Sequence, residues 1–195
     1  MLDPIHAPRS SPTDAQLWRR AARGDRDAFG DIFDRHARAI YNFCFRRTAN
    51  WAHAEDLTSA TFLLAWRRRR EVTLVGESAL PWLYGVATRL VWKDERKAAR
   101  GRSAVAALPV PRGGSHLAED AAARLDDQRR MRELLGALAR LSRAEQDVVA
   151  LCTWQGLTYE EAAAALDLPV GTVRSRLSRA RSRLRAADAE NKEDD

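Results

Sequence analysis

Between Thr158 and Arg185 the chain reads as a short capped helix, a tight turn and a second helix with two chemically opposed faces. Thr158-Tyr159-Glu160-Glu161 has capping-box spacing, in which threonine and glutamate side chains satisfy each other's orphan backbone N–H groups. Asp167-Leu168-Pro169-Val170 supplies the turn, and Gly171-Thr172-Val173 starts a helix predicted to reach about Arg185. At about 100° per residue, Val173, Leu177, Ala180 and Leu184 stack on one face. Ser175, Ser178, Arg179 and Ser182 point the opposite way, with Arg174 on the flank. Six arginines and no acidic residue lie between Val170 and Ala187. Short helix, turn and basic helix together spell a helix-turn-helix. Small hydroxyls beside arginine let such a helix sit deep in a major groove, where a guanidinium forks onto guanine and other cations hold phosphates. A plain amphipathic surface helix is the alternative, and the turn before it argues against that.

The rest of the chain is predicted helical as well. Gln128 to Leu141 forms one helix, and Ser142-Arg143-Ala144-Glu145 caps another that carries Val148, Val149, Leu151 and Cys152 and stops at Gly156. Near the N-terminus, Thr13-Asp14-Ala15-Gln16 is a capping box and Gly24 a stop. A helix from about Arg26 to Thr48 follows, with Phe29, Ile32, Phe33, Ile40, Phe43 and Cys44 at core spacing. His36 beside that stripe reads as a satisfied structural histidine. The helix from about His53 to Arg70 is apolar on two sides, Leu57, Ala60 and Leu64 against Phe62, Leu63 and Trp66. It is either central in a bundle or keeps one face for a partner. Arg67 to Arg70 suit the negative end of the helix dipole. After a loop from Glu71 to Leu80, Pro81 opens a helix whose core side is Leu83, Val86, Ala87 and Leu90. Arg89, Trp92, Lys93 and Arg96 lie on another side, with Lys97 nearby. Cations that neutralise phosphate, beside a ring that stacks on an unpaired base, suit single-stranded nucleic acid. A solvated basic face with Trp92 buried elsewhere is the alternative.

Charge partitions along this plan. The chain carries a net charge of +6 over its 195 residues. Residues 14–100 hold +6, 101–127 hold −1, 128–187 hold +5 and 188–195 hold −4. Two basic modules point to a polyanion contacted at two places, or to solvated helix surfaces. Pro109, Pro111, Gly113 and Gly114 mark 101–127 as a flexible linker, with a relaxed span of roughly 26–31 Å. No apolar run approaches the ~20 residues of a membrane span, and Met1 to Pro12 lacks a signal-peptide pattern. Cys44 and Cys152 stand apart, with no Cys/His cluster, so neither a disulfide framework nor a zinc site is indicated. The reading is a soluble, intracellular, basic protein.

Leu157-Thr158-Tyr159-Glu160-Glu161-Ala162-Ala163, followed by Pro169-Val170-Gly171-Thr172-Val173-Arg174-Ser175-Arg176-Leu177, resembles region 4.2 of extracytoplasmic-function (ECF) RNA polymerase sigma factors, sigma-70 family group 4. Ala54-Glu55-Asp56-Leu57 through Phe62-Leu63-Leu64-Ala65-Trp66-Arg67 resembles region 2.2, and Pro81-Trp82-Leu83-Tyr84-Gly85-Val86-Ala87 the start of the region 2.3–2.4 helix. The resemblance implies an all-α protein of two small helical domains, a sigma-2-like bundle over 14–100 and a sigma-4-like helix-turn-helix bundle over 128–187, joined by the linker. Residues 1–13 form a disordered N-terminus and 188–195 an acidic tail.

It also implies a role. The second domain would read the −35 element as duplex through Arg174, Ser175, Arg176, Ser178 and Arg179, and dock on the β flap of core RNA polymerase. The first would hold the opened −10 strand through Arg89, Trp92, Lys93, Arg96 and Lys97, a flipped base entering the loop Glu71–Leu80. Asp56, Leu57, Ser59, Ala60 and Leu63 would meet the β′ clamp coiled coil. Promoter DNA and core polymerase are the partners, an anti-sigma factor is a further one the family allows, and the place of action is the cytoplasm. Polymerase does the chemistry, so no catalytic residue, cofactor or metal ligand is assigned and the chain is not an enzyme. A stand-alone helix-turn-helix regulator is the alternative. With promoter elements one and a half to two turns apart, about 50–70 Å, the linker is expected to extend in the working complex and to leave the free modules mobile. Two departures stand out: Ser59-Ala60 replaces the family's Gln-Glu pair, and Arg89 and Lys93 replace the Asn and Asp of region 2.4.

Overall fold

The computed structural model describes the backbone of residues 11–102 and 118–193, and within it the side chains of 11–97 and 125–187. Regular structure among them is entirely helical: α1 (Asp14–Ala22), α2 (Arg26–Thr48), α3 (Trp51–Arg68), α4 (Leu80–Arg102), α5 (Ala118–Leu138), α6 (Arg143–Val148), α7 (Tyr159–Leu166) and α8 (Val170–Glu193). The helix of α6 continues as a π-helical stretch, Val149–Trp154. Residues 1–10 and 103–117, where a disordered terminus and most of the linker are expected, lie outside the described residues.

Three capping boxes start helices where the sequence places them, at Thr13, Ser142 and Thr158. Asp25 and Asn50 cap α2 and α3 by accepting from the N–H groups of Ala28 and His53. Gly24 and Gly156 take left-handed backbone, φ +103° and +69°, at the stops.

In the N-terminal half α3 is packed between α2 and α4, which accounts for most of its two-sided apolarity. Its buried stripe is Ala54, Leu57, Thr58, Thr61, Phe62 and Ala65. Phe62 and Trp66 meet α2 in edge contacts, Phe33–Phe62 at 4.8 Å and Phe29–Trp66 at 5.2 Å between centroids. Fully buried Phe43, Ile32, Ile40 and Leu83 fill the centre, each contributing roughly 1.5–3 kcal/mol of burial.

One polar network ties α1 to α2 and to the loop before α4. Buried Asp14 accepts from the Ala79 N–H at 2.9 Å and from the Arg35 guanidinium at 3.1 Å, and pairs with His36. His36 is thus a satisfied structural histidine, as its sequence position suggests. The loop is held further by Trp18, whose indole N–H donates to the Val72 carbonyl at 3.0 Å.

Three features depart from expectation. Residues 118–127, read as linker, belong to α5, because Ala118–Asp127 combines alanine with acidic residues that favour a helix N-terminus. The tail is helical to Glu193 as the end of α8. Most of all, the two modules are not apart. Their apolar residues form one continuous cluster, running from Phe43 and Tyr84 to Leu151, Ala162 and Ala165. Periodicity reveals a buried stripe but not which element buries it, and small residues let α7 lie directly on α4.

Burial would raise the Asp14 carboxyl, but the Ala79 N–H, His36 and Arg35 outweigh it and hold the group below its ordinary 3.8. A carboxyl titrating lower in the folded chain gives stability that is complete above the unfolded value and lost as pH falls through the lowered one. Asp14→Asn is expected to lower stability at pH 7 by roughly 1–3 kcal/mol. It should also flatten the acid limb of urea-unfolding midpoints measured below about pH 4.

Candidate nucleic-acid interface

Helix α8 separates docking from display as its sequence predicts. Val173, Leu177 and Ala180 are buried against the preceding helices, while Arg174, Ser175, Ser178 and Arg179 are exposed. Arg176 sits half-buried at the edge of the docking stripe, about 60° round from it. The Ser175 hydroxyl donates to the Thr172 carbonyl at 3.1 Å, and Arg179 Nε to the Ser175 carbonyl at 3.4 Å. The turn before α8 is made by Asp167 in left-handed backbone, φ 55°, a conformation aspartate tolerates better than most residues.

A shallow groove of about 250 Å³ runs along α8 beside Tyr159, lined also by Arg174, Ser178, Arg181 and Arg185. The Arg174 guanidinium lies 5.6 Å from the Tyr159 ring centroid, near enough for a cation–π contact. Arg181 and Arg185 join the arginines and serines named from the sequence. Their spacing is the sequence signal for this, because each follows Arg174 or Ser178 by seven residues and so shares its face.

Arg183, by contrast, is a bracing residue. It pairs with buried Glu145 at 2.6 Å, tying α8 to the start of α6. Burial would raise the Glu145 carboxyl, but the Ser142 hydroxyl and N–H, then Arg183 and Arg179, hold it below its ordinary range.

On α4 the cationic side divides. Lys93, Arg96 and Lys97 are exposed, and so is Arg89, although one of its nitrogens reaches α7. Trp92 is half-buried, its indole N–H donating to Asp147 Oδ1 of α6 at 3.2 Å. Arg89 donates to the Ala165 carbonyl of α7 at 3.4 Å. Its pKa is lowered, by burial first and then by Arg68, against the opposing charge of Asp167. Beyond α3 the loop is pinned to α1 by Ala79–Asp14 and by the Ala15 N–H to the Glu77 carbonyl at 3.3 Å, leaving Val75 and Gly76 at an exposed apex. The arginine run before it caps two helix ends: Arg69 Nη1 donates to the Trp66 carbonyl of α3 at 2.6 Å, while Arg69 Nε donates to the Ala21 carbonyl of α1 at 2.9 Å and Arg70 Nε to that of Ala22 at 3.3 Å.

The outer face of α3 presents Asp56, Ser59 and Leu63, with Ala60 half-buried at its edge. Leu63 is 51% exposed and, across on α2, Phe33 is 42% exposed, an apolar residue read from sequence as core. Leu57, expected on this face, is instead 6% exposed and belongs to the core, because it lies about 120° round the helix from Leu63. Among the described residues no cluster of His, Cys, Asp or Glu is arranged to hold a metal, and no helix is long and apolar enough to cross a membrane. Buried Cys44 has its thiol pushed up to about 12 by desolvation.

The sigma-70 region 2 family model matches residues 32–101 and the sigma-70 region 4 model residues 131–184. The ECF RNA polymerase sigma factor SigE of Mycolicibacterium smegmatis is 34% identical over 191 residues, 91% of this chain and 68% of that one. The RNA polymerase sigma factor CarQ of Myxococcus xanthus is 34% identical over 162 residues, 83% and 90% of the two chains. The chain belongs to the ECF RNA polymerase sigma factors of the sigma-70 family. ECF sigma factor BldN of Streptomyces coelicolor is 33% identical over 164 residues, and this sigma factor spans 60% of that longer protein. Among solved structures, CnrH in complex with the cytosolic domain of CnrY superposes with a TM-score of 0.67 at 25% identity, covering 90% of this chain and 97% of CnrH. RpoE of Bartonella quintana, bound to the anti-sigma factor NepR, gives 0.58 at 26% identity over 81% and 94%. Region 2 of the sigma factor thus comprises most of α2 with α3 and α4. Region 4 begins within α5 and ends within α8, and α1 precedes both.

Because Glu145 both caps α6 and anchors Arg183, Glu145→Ala should destabilise region 4 by roughly 1–3 kcal/mol. Hydrogen exchange should show the loss concentrated at the N-terminus of α6 and along α8.

Proposed function

We propose that this sigma factor works in the cytoplasm as the promoter-choosing subunit of RNA polymerase, without catalysis of its own, and that its named faces divide the work. The observation that carries this reading is the separation of faces on α8, whose Val173, Leu177 and Ala180 are buried while Arg174, Ser175, Ser178 and Arg179 face solvent. A helix held so rigidly on one side can enter the major groove of the −35 duplex on the other, with Arg181 and Arg185 on nearby phosphates. Lys93, Arg96 and Lys97 follow the backbone of the opened −10 strand, Trp92 offers a stacking surface and the pinned loop beside Val75 receives a flipped base.

The outer face of α3 docks on the β′ clamp, with exposed Leu63 and Phe33 as apolar anchors inside a polar rim that includes Asp56 and Ser59. Region 4 contacts the β flap. An anti-sigma partner is consistent with RpoE of Bartonella quintana, solved with the anti-sigma factor NepR. A stand-alone regulator is not favoured, since it has no use for a region 2.

Run-off transcription with purified core polymerase is the direct test, and the sigma factor is expected to direct transcripts from promoters of its own host. Leu63→Asp should abolish co-purification with core while leaving duplex binding intact. Arg179→Ala should cost about 1–3 kcal/mol on a −35 duplex and relax sequence choice there. Equal losses on specific and random duplex would reduce Arg179 to a phosphate contact.

A further inference from the structure

Helix α1 lies outside both matched regions, 32–101 and 131–184, yet it makes the contacts that shape the loop between α3 and α4. The start of the loop is held where the Trp18 indole N–H donates to the Val72 carbonyl at 3.0 Å. Its far end is held where the Ala15 N–H donates to the Glu77 carbonyl at 3.3 Å and Asp14 Oδ2 accepts from the Ala79 N–H at 2.9 Å. Just before the loop, Arg69 and Arg70 donate to the Ala21 and Ala22 carbonyls at the other end of α1. Among the described residues, the hydrogen bonds made by 72–77 all end on α1, and none crosses the segment itself. The shape of the loop is therefore imposed from outside.

The anchors are fixed independently of the loop. Asp14 is 6% exposed and is braced from α2 by Arg35 and His36. Trp18 is 3% exposed, its ring against those of Trp82 at 5.1 Å and Phe29 at 6.4 Å between centroids. Between the two held ends the apex is bare: Val75 is 82% exposed and Gly76 takes left-handed backbone, φ +84°.

We propose that α1 is the positioning element of base capture, with Asp14 and Trp18 as positioning residues that hold the loop in its receiving shape and so set how strongly the flipped base is discriminated. The inference rests on reading the loop as the receiver of that base. It goes beyond that reading by placing control of the site in two buried side chains of a neighbouring helix. A loop that its ligand must order loses part of the binding free energy to that ordering, whereas a loop ordered in advance keeps it. The effect is local to one nucleotide. It therefore separates from charge attraction, which exposed Lys93, Arg96 and Lys97 exert along the strand whatever its sequence.

Two substitutions in the full chain loosen opposite ends of the loop. Trp18→Phe removes the N–H and keeps an aromatic ring in the core, and it is the milder of the two. Asp14→Ala removes the acceptor of the Ala79 N–H. Hydrogen exchange of the free protein is expected to quicken at 71–79 in both, with α3 and α4 keeping their protection. Binding is then read with holoenzyme, reconstituted from core polymerase, on a promoter that yields run-off transcripts. The template is a fork whose −10 non-template strand carries an abasic site at one position at a time. For wild type, removing the base at one position is expected to cost about tenfold in affinity. Each variant is expected to bind the intact fork about tenfold more weakly, yet to lose less than about twofold when that base is removed. Affinity for the −35 duplex is expected to be unchanged.

Unchanged exchange at 71–79 shows that these bonds do not hold the loop and overturns the proposal. Wild-type affinity of the variants for the intact fork overturns it too. So does an equal loss on intact and abasic forks, the mark of a general structural defect. If wild type shows no position at which the base matters, the reading of the loop itself fails, and positioning by α1 falls with it.

Discussion

Contact between α4 and α7 is the constraint on which the arrangement of the whole molecule depends. Helix backbones approach as closely as Gly85 and Ala165 do only where side chains are missing, and here the absence of a single Cβ sets the separation of two modules. Around that point the apolar cluster runs without interruption from α2 to α8, so the two halves share a continuous apolar surface. The polar contacts lie along the same seam. Asp147 is the clearest case: burial pushes its carboxyl above the ordinary range despite the neighbouring Arg47, the mark of a group whose desolvation exceeds what its partner returns. Apolar area supplies the affinity of the seam, and the charge pair supplies its register.

Each functional surface is made by a helix that does two jobs at fixed angles. On α8 the buried positions are small or branched residues that lock into α6 and α7, and the opposite face stays free to display hydroxyls and guanidinium groups. Glu145 and Arg183 add a strut at the side, so the helix can neither roll nor slide. On α3 the same division is made with less polarity. Ala54, Thr58, Thr61 and Ala65 point into the bundle, and Leu63, directly opposite, faces water. An exposed leucine alone means little. It shares its face of α3 with Asp56 and Ser59, and on α2 a second large apolar residue, Phe33, is exposed as well.

What the sequence made legible was local. The three capping boxes, the glycine stops and the two-faced final helix are short-range chemistry, written in residues three or four positions apart. His36 was readable too, because a histidine beside a core stripe usually finds a carboxylate, although nothing pointed to Asp14 as that carboxylate. The start of α5 is not legible because Ala118–Asp127 lacks an apolar period and so reads as linker, although alanine and acidic residues suit the start of a helix. Leu57 is ambiguous for a related reason. With apolar residues on two sides of α3, a wheel cannot tell the core from the outside, and only the positions of α2 and α4 decide it. Packing between modules was invisible altogether, since Gly85 in sequence is just one more small residue in a helix.

That packing changes what the cationic side of α4 means. Read alone, Arg89, Trp92, Lys93, Arg96 and Lys97 make one basic surface with an aromatic residue in its middle. In the folded chain the surface divides: the four cations remain exposed, Arg89 with one hydrogen bond to α7, while Trp92 is half-buried against α6. Long-range attraction for a polyanion therefore rests on charges that stay in solvent, while the Trp92 indole is fixed in orientation by its bond to Asp147.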